Sequence, residues 1–301
     1  MKVTFWGCRG SMPCPGPNTV KYGGNTTCIE IRNDSNDLLI LDAGSGIREL
    51  ASTLMDECPL KATILISHTH WDHIQGFPFF TPNIIPGNEI KVFGPRDMVN
   101  NKSLKEVLSH QMNYAYFPIE SRELKADIEY INQGAGPVAV EAFDITCRNV
   151  NHPVHCLGSK IQADGQTVVY TGDHEPYRDM MHSPDDDSQE AMNARAIANK
   201  QNREMEEFCE DADLLIADCQ YTDEEYEHKV GWGHSSLDHC INLAKRADVD
   251  RVALTHHEPT RTDEEFDELE QLAKKKMAET TEQEDQNIEV FYAREKMTIN
   301  L

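Results

Sequence analysis

Residues 67–76 read Ser67-His-Thr-His-Trp-Asp-His-Ile-Gln-Gly76, and they set His68, His70, Asp72 and His73 within six positions. Imidazoles this close repel one another when charged and are most stable neutral around a cation. The residues just before, Thr63-Ile-Leu-Ile-Ser67, form a short apolar run of buried-strand length. The histidines therefore fall in the loop at a strand end, where polar side chains converge. Two histidines one residue apart can point the same way from an extended chain, whereas Asp72 and His73, a turn further on, aim elsewhere. The stretch by itself leaves open whether it serves one cation or two.

Working outward, apolar and β-branched runs at residues 3–6, 27–32, 37–42, 62–67 and 91–94 predict strands, separated by Gly, Pro and Asn clusters. A helix is expected at 46–56. Residues 96–126 carry Val99, Leu104, Val107, Leu108 and Met112 at mixed helical spacing, then Tyr114, Tyr116 and Phe117, which reads as a helical insertion with a loop. A second half follows with strands at 138–150, 157–163, 167–171, 214–217 and 251–255, and helices at 191–210 and 237–247. Pro184-Asp-Asp-Asp187 reads as an exposed loop, and residues 262–286 as one charged surface helix with a thin apolar stripe. Strands mixed with helices in both halves point to α/β layers.

Composition narrows the function classes. The chain of 301 residues is 39% hydrophobic and 27% charged, with no apolar run of membrane-spanning length. The N-terminus reads as a strand running into a glycine turn rather than a signal peptide, so a cytoplasmic protein is expected. Nine scattered cysteines without a Cys-x-x-Cys pair argue against a disulfide framework or a zinc ribbon. A net charge of −24 disfavours nonspecific RNA or DNA binding. A small anionic substrate is less constrained, because a metal centre supplies positive charge locally.

Ser67-His-Thr-His-Trp-Asp-His73 resembles the signature loop of the metallo-β-lactamase superfamily, and further segments resemble its other motifs in order: Leu41-Asp-Ala-Gly44, Asn151-His-Pro153, Thr171-Gly-Asp-His174 and Leu254-Thr-His-His-Glu-Pro259. The resemblance covers the chain to about residue 260. It implies a four-layer αβ/βα sandwich, one domain over 1–301 with a helical and aromatic insertion at about 96–135 and a polar helical one at about 178–210. It also implies two divalent metal ions. Zinc is the default for an imidazole-rich site, with manganese or iron as alternatives. Carried over by position, His68, His70 and His152 would hold one ion, Asp72, His73 and His256 the other, and Asp173 both. Asp42 would orient the loop, and His257 is the alternative to its neighbour His256. His155 and His174 stand beside motif positions as supporting or surface groups.

Gly231-Trp-Gly-His-Ser-Ser236 resembles a motif of ribonuclease Z-related phosphodiesterases, whose histidine contacts the phosphate and protonates the leaving group. That places His234 as general acid, with Asp218 as its partner and a hydroxide shared by the two ions as nucleophile. Asp72 belongs to the same catalytic set. Ser235, Arg9, Asn25, Tyr114 and Tyr116 are further candidates for contact with substrate. The expected substrate is a small phosphodiester such as a cyclic nucleotide. A ribonuclease Z-like RNA endonuclease is the alternative, although no lysine-rich arm is visible. Thioester or lactone hydrolysis and a di-iron redox or sensor protein are further readings of the same fold, and a homodimer follows from the resemblance alone.

Overall fold

The run Leu38-Leu-Ile-Leu41 shows how the sequence dictates the layers. In the computed structural model of the protein, which describes residues 1–279 and 287–301, this run is a strand covered on both faces. Leu39 and Leu41 enter one apolar core, and Leu38 and Ile40 enter another. Side chains of a strand alternate between faces. A continuous apolar run is therefore what a sheet buried on both sides demands.

Among the described residues there are two seven-stranded sheets. The first contains β1 (Lys2–Gly7), β2 (Cys28–Arg32), β3 (Leu38–Leu41), β4 (Lys61–Leu65), β5 (Glu89–Gly94) and β6 (Asp127–Asn132). The second contains β7 (Gly136–Val138), β8 (Asp144–Asn149), β9 (Leu157–Ala163), β10 (Gln166–Tyr170), β11 (Leu214–Asp218), β12 (Arg251–Thr255) and β13 (Glu289–Tyr292). The last strand, β14 (Thr298–Asn300), pairs antiparallel with β1 and closes the first sheet. Phe5, Leu41, Leu65, Ile161, Val168, Ile216 and Phe291 fill the space between the sheets.

Helices cover the outer faces. Buried residues of α1 (Ile47–Thr53), α2 (Trp71–Ile74) and α3 (Leu104–His110) join the core behind the first sheet. Those of α4 (Gln189–Cys209), α6 (Leu237–Arg246) and α7 (Asp263–Glu279) join the core behind the second, and the short α5 (Asp223–Tyr226) lies between α4 and α6 in the chain. The result is the expected four-layer αβ/βα sandwich.

Several elements were not legible in advance. The run at 138–150 divides into β7 and β8, while β6, β13 and β14 had no reading. β6 is a half-buried edge strand, and the three residues of β14 are too few to show a period. Segment 96–135 holds α3, whose Ser103 and Glu106 form a capping box, together with β6. The helix expected over 262–286 is α7 as far as Glu279, and its remainder lies outside the described residues. All nine cysteines are free, and no described helix is long and apolar enough to cross a membrane.

Strands β3 and β4 run parallel, as do β10, β11 and β12. Asp42 follows β3, the histidine loop follows β4, Asp173 lies just beyond β10, Asp218 closes β11 and His256 follows β12. Polar residues at the carboxyl ends of parallel strands gather along one edge. That edge carries the site.

On α6, burial pushes the His239 imidazole down to about 4, with Arg246 and Arg178 adding to the effect. In the unfolded chain a histidine takes a proton near pH 6.5. The unfolded state therefore binds more protons between pH 6.5 and 4, and stability falls as pH drops through that window. Denaturant titrations of chelated protein should show His239→Gln losing less stability than the parent across it, by up to roughly 1.4 kcal/mol per pH unit. Parallel curves would show that His239 contributes nothing to acid sensitivity.

Candidate metal centre

Asp42 holds the histidine loop in place. Its carboxylate accepts hydrogen bonds from Ser67 N (2.7 Å), Ser67 Oγ (2.9 Å), His73 Nδ1 (2.8 Å) and Tyr170 Oη (2.7 Å). Four donors on one buried carboxylate compensate for its left-handed backbone, φ 60°, a state that costs a residue with a Cβ about 1–3 kcal/mol. Because a carboxylate only accepts, the His73 proton is fixed on Nδ1, and Nε2 is left for the cluster.

His70 is extended (φ −64°, ψ 151°) and caps α2, so Asp72 and His73 fall in the first turn of that helix beyond the exposed Trp71. Two groups of side chains result. Ligand-type atoms of His68, His70, His152 and Asp173 lie within 4.8 Å of one another, and so do those of Asp72, His73, Asp173 and His256. Asp173 Oδ2 is common to both: it lies 3.4 Å from His68 Nε2, 3.9 Å from His152 Nε2, and 3.3 Å from both His73 Nε2 and His256 Nε2. His152 Nδ1 donates to Gly233 O at 2.9 Å, which leaves its Nε2 facing His70 Nδ1 at 3.1 Å.

His256 and His257 part company at the end of β12. A left-handed φ of 56° turns His256 into the cluster, with Nε2 3.1 Å from Asp72 Oδ2. His257 instead donates from Nε2 to Ala293 O at 2.8 Å and sits among Tyr22, Phe266 and Tyr292. His256→Ala should lose metal, whereas His257→Ala should keep it and lose about 2–4 kcal/mol of stability through the cavity left among those rings. Equal metal loss in both variants, measured by elemental analysis, would reverse the assignment. Gly10 makes room for this turn, since a Cβ there would stand 2.3 Å from His256 Cε1 and Nδ1. Gly10→Ala should therefore shed one equivalent of metal; two equivalents with unchanged turnover would count against a fixed His256.

The atoms present suit cations. Among the described residues His68 Nε2, His73 Nε2 and Asp173 Oδ1 are buried without a hydrogen-bond partner, whereas buried polar atoms in folded proteins are nearly always paired. The facing ring nitrogens of His70 and His152 likewise need a proton or a cation between them. Burial holds His68 well below the ordinary imidazole range, lowers His70, and brings His152 down to about 4, so these three are neutral, as metal ligation requires. On the other side burial also opposes charge, but Asp173 with Asp72 outweighs it and raises both His73 and His256, the latter to about 9. Asp72 and Asp173 stay well below the usual carboxylate range, because the imidazoles beside them outweigh burial. The group thus offers neutral imidazoles around a carboxylate oxygen on one side and two carboxylates on the other, the donor set for two divalent ions.

His234 stands beside both groups. Its ring lies 5.3 Å from that of His152 and stacks at 4.6 Å on that of His256. Nδ1 donates to Asp218 Oδ2 at 2.9 Å, an oxygen that also accepts from His174 N at 3.0 Å. Burial pushes the Asp218 carboxyl up against the opposing pull of His234. Asp173, Asp218, His234 and His256 also lie within 4.8 Å of one another as a third grouping.

The remaining candidates are placed elsewhere. Arg9 is fully buried and spends its guanidinium on the carbonyls of Gly23, Glu258 and Arg261. Asn25 is tied to Glu295 and Ser45, and Ser235 Oγ donates to His174 O at 2.5 Å. Their side chains brace the loops instead of lining an open surface. Tyr114 and Tyr116 are exposed; Tyr114 donates to Glu123, and the Tyr116 ring lies 6.1 Å from that of His110. His155 bonds Asn149, and His174 accepts from Asn151 N. Glu175 and Tyr170 carry no sequence signal beyond adjacency to motif positions, and Ser67 none beyond its place in the histidine loop.

The sequence profile of the β-lactamase superfamily domain matches residues 38–192, more than half of the chain. The chain belongs to the metallo-β-lactamase superfamily. It is accordingly a metallohydrolase, of a fold that works with divalent metal ions. Ribonuclease Z of Clostridium kluyveri is 24% identical over 286 residues, covering 86% of this chain and 89% of that enzyme. Among solved structures, the metallo-β-lactamase-fold protein YhfI from Bacillus subtilis superposes with a TM-score of 0.67 at 21% identity, over 99% of both chains. The short form of human tRNase Z gives 0.62 at 18% identity, over 100% of this chain and 99% of that one.

Proposed function

We propose that this metallohydrolase is a dinuclear phosphodiesterase acting on a small phosphodiester such as a cyclic nucleotide. His68, His70 and His152 would hold one divalent ion and Asp72, His73 and His256 the other, with Asp173 shared between them. Two such ions, zinc by preference for so many imidazoles and manganese or iron otherwise, would acidify an attacking water and neutralise charge on the phosphate. The chain itself supplies the proton on the leaving side. His234, held at Nδ1 by Asp218, presents Nε2 to the departing oxygen. Asp42 and Gly233 O fix the tautomers of His73 and His152, so that each offers Nε2.

The observation that carries this reading is the His234–Asp218 pair, 2.9 Å apart and packed against members of both metal-ready groups. Hydrolysis of a thioester, whose thiolate departs without a proton, and di-iron redox chemistry have no need of a proton donor fixed there. The net charge of −24 supports a small substrate over a polyanion. The likeness to ribonuclease Z supports the second reading, an RNA endonuclease. Metal-loaded protein should be assayed against cyclic nucleotides, dinucleotides, precursor tRNA, bis(p-nitrophenyl) phosphate, and a thioester and lactone panel. Turnover of phosphodiesters alone is the expected result. Cleavage of precursor tRNA far above the small esters would favour the endonuclease, and activity confined to thioesters or lactones would end the phosphodiesterase reading.

A further inference from the structure

We infer that Glu175 is a positioning residue for His234, a buried carboxylate that fixes the turn carrying the proton donor and through the same turn orients His152. This rests on the reading of His234 as general acid. Glu175 is 3% exposed. Its Oε1 accepts from Tyr226 Oη (2.9 Å) and Gly231 N (2.7 Å), and its Oε2 from Gly233 N (2.8 Å). Among the described residues no basic side chain forms an ion pair with it, so both oxygens are committed to the turn.

That turn needs an external clamp. Gly231 and Gly233 both adopt positive φ, +88° and +91°, and glycine loses more conformational freedom on being fixed than any other residue. Trp232 between them is largely exposed and gives the turn little burial. The next residue is His234. Gly233 also passes its constraint on, because its carbonyl accepts His152 Nδ1 at 2.9 Å and its Cα packs so closely that a Cβ would stand 2.5 Å from that nitrogen. One carboxylate therefore sets the position of the donor and the direction of an imidazole in the first metal-ready group.

The neighbours of Glu175 extend the same device. Asp173 gives the oxygen shared by both groups, His174 donates its N–H to Asp218 Oδ2 and accepts Ser235 Oγ on its carbonyl, and Glu175 takes the turn. Three successive residues beyond β10 thus couple the metal groups, the Asp218–His234 pair and the Gly231–Gly233 turn. A carboxylate that merely satisfied loop amides would stabilise the fold and leave the chemistry alone.

Glu175→Gln separates the two roles, since it keeps the shape but turns one oxygen into a donor that faces a glycine N–H. In metal-loaded protein, kcat for a phosphodiester with an alkoxide leaving group should fall about 10- to 100-fold with KM within about threefold, while turnover of bis(p-nitrophenyl) phosphate, which registers only the share passed to His152, should fall by a factor at least about threefold smaller. In a His234→Ala background the same change should cost little further, because residues acting through one another are not additive. In metal-free protein the Gly231 and Gly233 amide protons, which donate to a carboxylate in the parent, should move upfield in the NMR spectrum. Equal losses on both esters, full additivity with His234→Ala, or a lower Tm with kcat intact would each overturn the inference. Should the glutamine variant not fold, Tyr226→Phe removes one donor from Oε1 and is read the same way: a selective loss on the alkoxide ester supports it, and unchanged kcat overturns it. If His234→Ala itself shows no leaving-group dependence, both readings fall together. Dependence there but none in Glu175→Gln overturns this one alone.

Discussion

Asp173→Asn should take the protein from two equivalents of bound metal to at most one and lower phosphodiester turnover by on the order of 10³-fold or more. The expectation follows from one atom. Asp173 Oδ2 lies within 3.3–3.9 Å of the Nε2 atoms of His68, His73, His152 and His256, and among the described residues no other oxygen belongs to both four-residue groups. Asparagine keeps the side-chain volume and removes the charge. Five imidazoles would then face two cations with Asp72 as the remaining carboxylate, and each cation would lose a charged partner that is buried and unscreened. A thermal melt separates this from misfolding, because the apo forms of parent and variant should have similar Tm while metal raises only the parent's substantially. Elemental analysis showing two equivalents retained, with turnover within tenfold of the parent, would remove Asp173 from its place between the ions.

What the sequence disclosed and what it hid have physical causes. His68, His70, Asp72 and His73 share one loop, so their density alone announces a cation site. His152, Asp173 and His256 are isolated residues in sequence; antiparallel β8 brings the first to that loop and the parallel strands β10 and β12 bring the others, so they were legible through the order of motifs and not through local pattern. The layers were readable for a related reason: Leu38-Leu-Ile-Leu41 and Leu214-Leu-Ile-Ala217 are apolar on both faces, which one covered sheet face cannot explain. Arg9 shows the opposite case. A glycine-flanked arginine near a site reads as a pocket residue, but three of its acceptors are carbonyls, two of them from residues 258 and 261, and nothing local reveals that destination. Glu175 was hidden similarly, because its partners Tyr226, Gly231 and Gly233 lie some fifty residues on and two of them contribute only backbone.

His234→Ala should divide substrates by the chemistry of their leaving groups. An alkoxide is too basic to depart unprotonated near neutral pH, so loss of a positioned acid should cost about 10²- to 10⁴-fold in kcat for a cyclic nucleotide or a dinucleotide. A p-nitrophenolate departs without a proton, and bis(p-nitrophenyl) phosphate should lose less than about tenfold. The contrast separates two roles that one histidine can play. If His234 only held the phosphate, its removal would weaken both esters alike, since the contact would not depend on which oxygen leaves. Metal content separates a third role. His234 falls within 4.8 Å of Asp173, Asp218 and His256, so a histidine acting as ligand would take an equivalent of metal with it, whereas a proton donor leaves two bound. Asp218→Asn supplies the intermediate case: its amide oxygen can still accept from both His234 Nδ1 and the His174 N–H, which share Asp218 Oδ2, but a neutral acceptor holds the ring less firmly than a carboxylate. Its loss should fall between those of the parent and His234→Ala on alkoxide esters and vanish in the double variant, because a group that acts only by holding the donor has nothing to hold once the donor is gone.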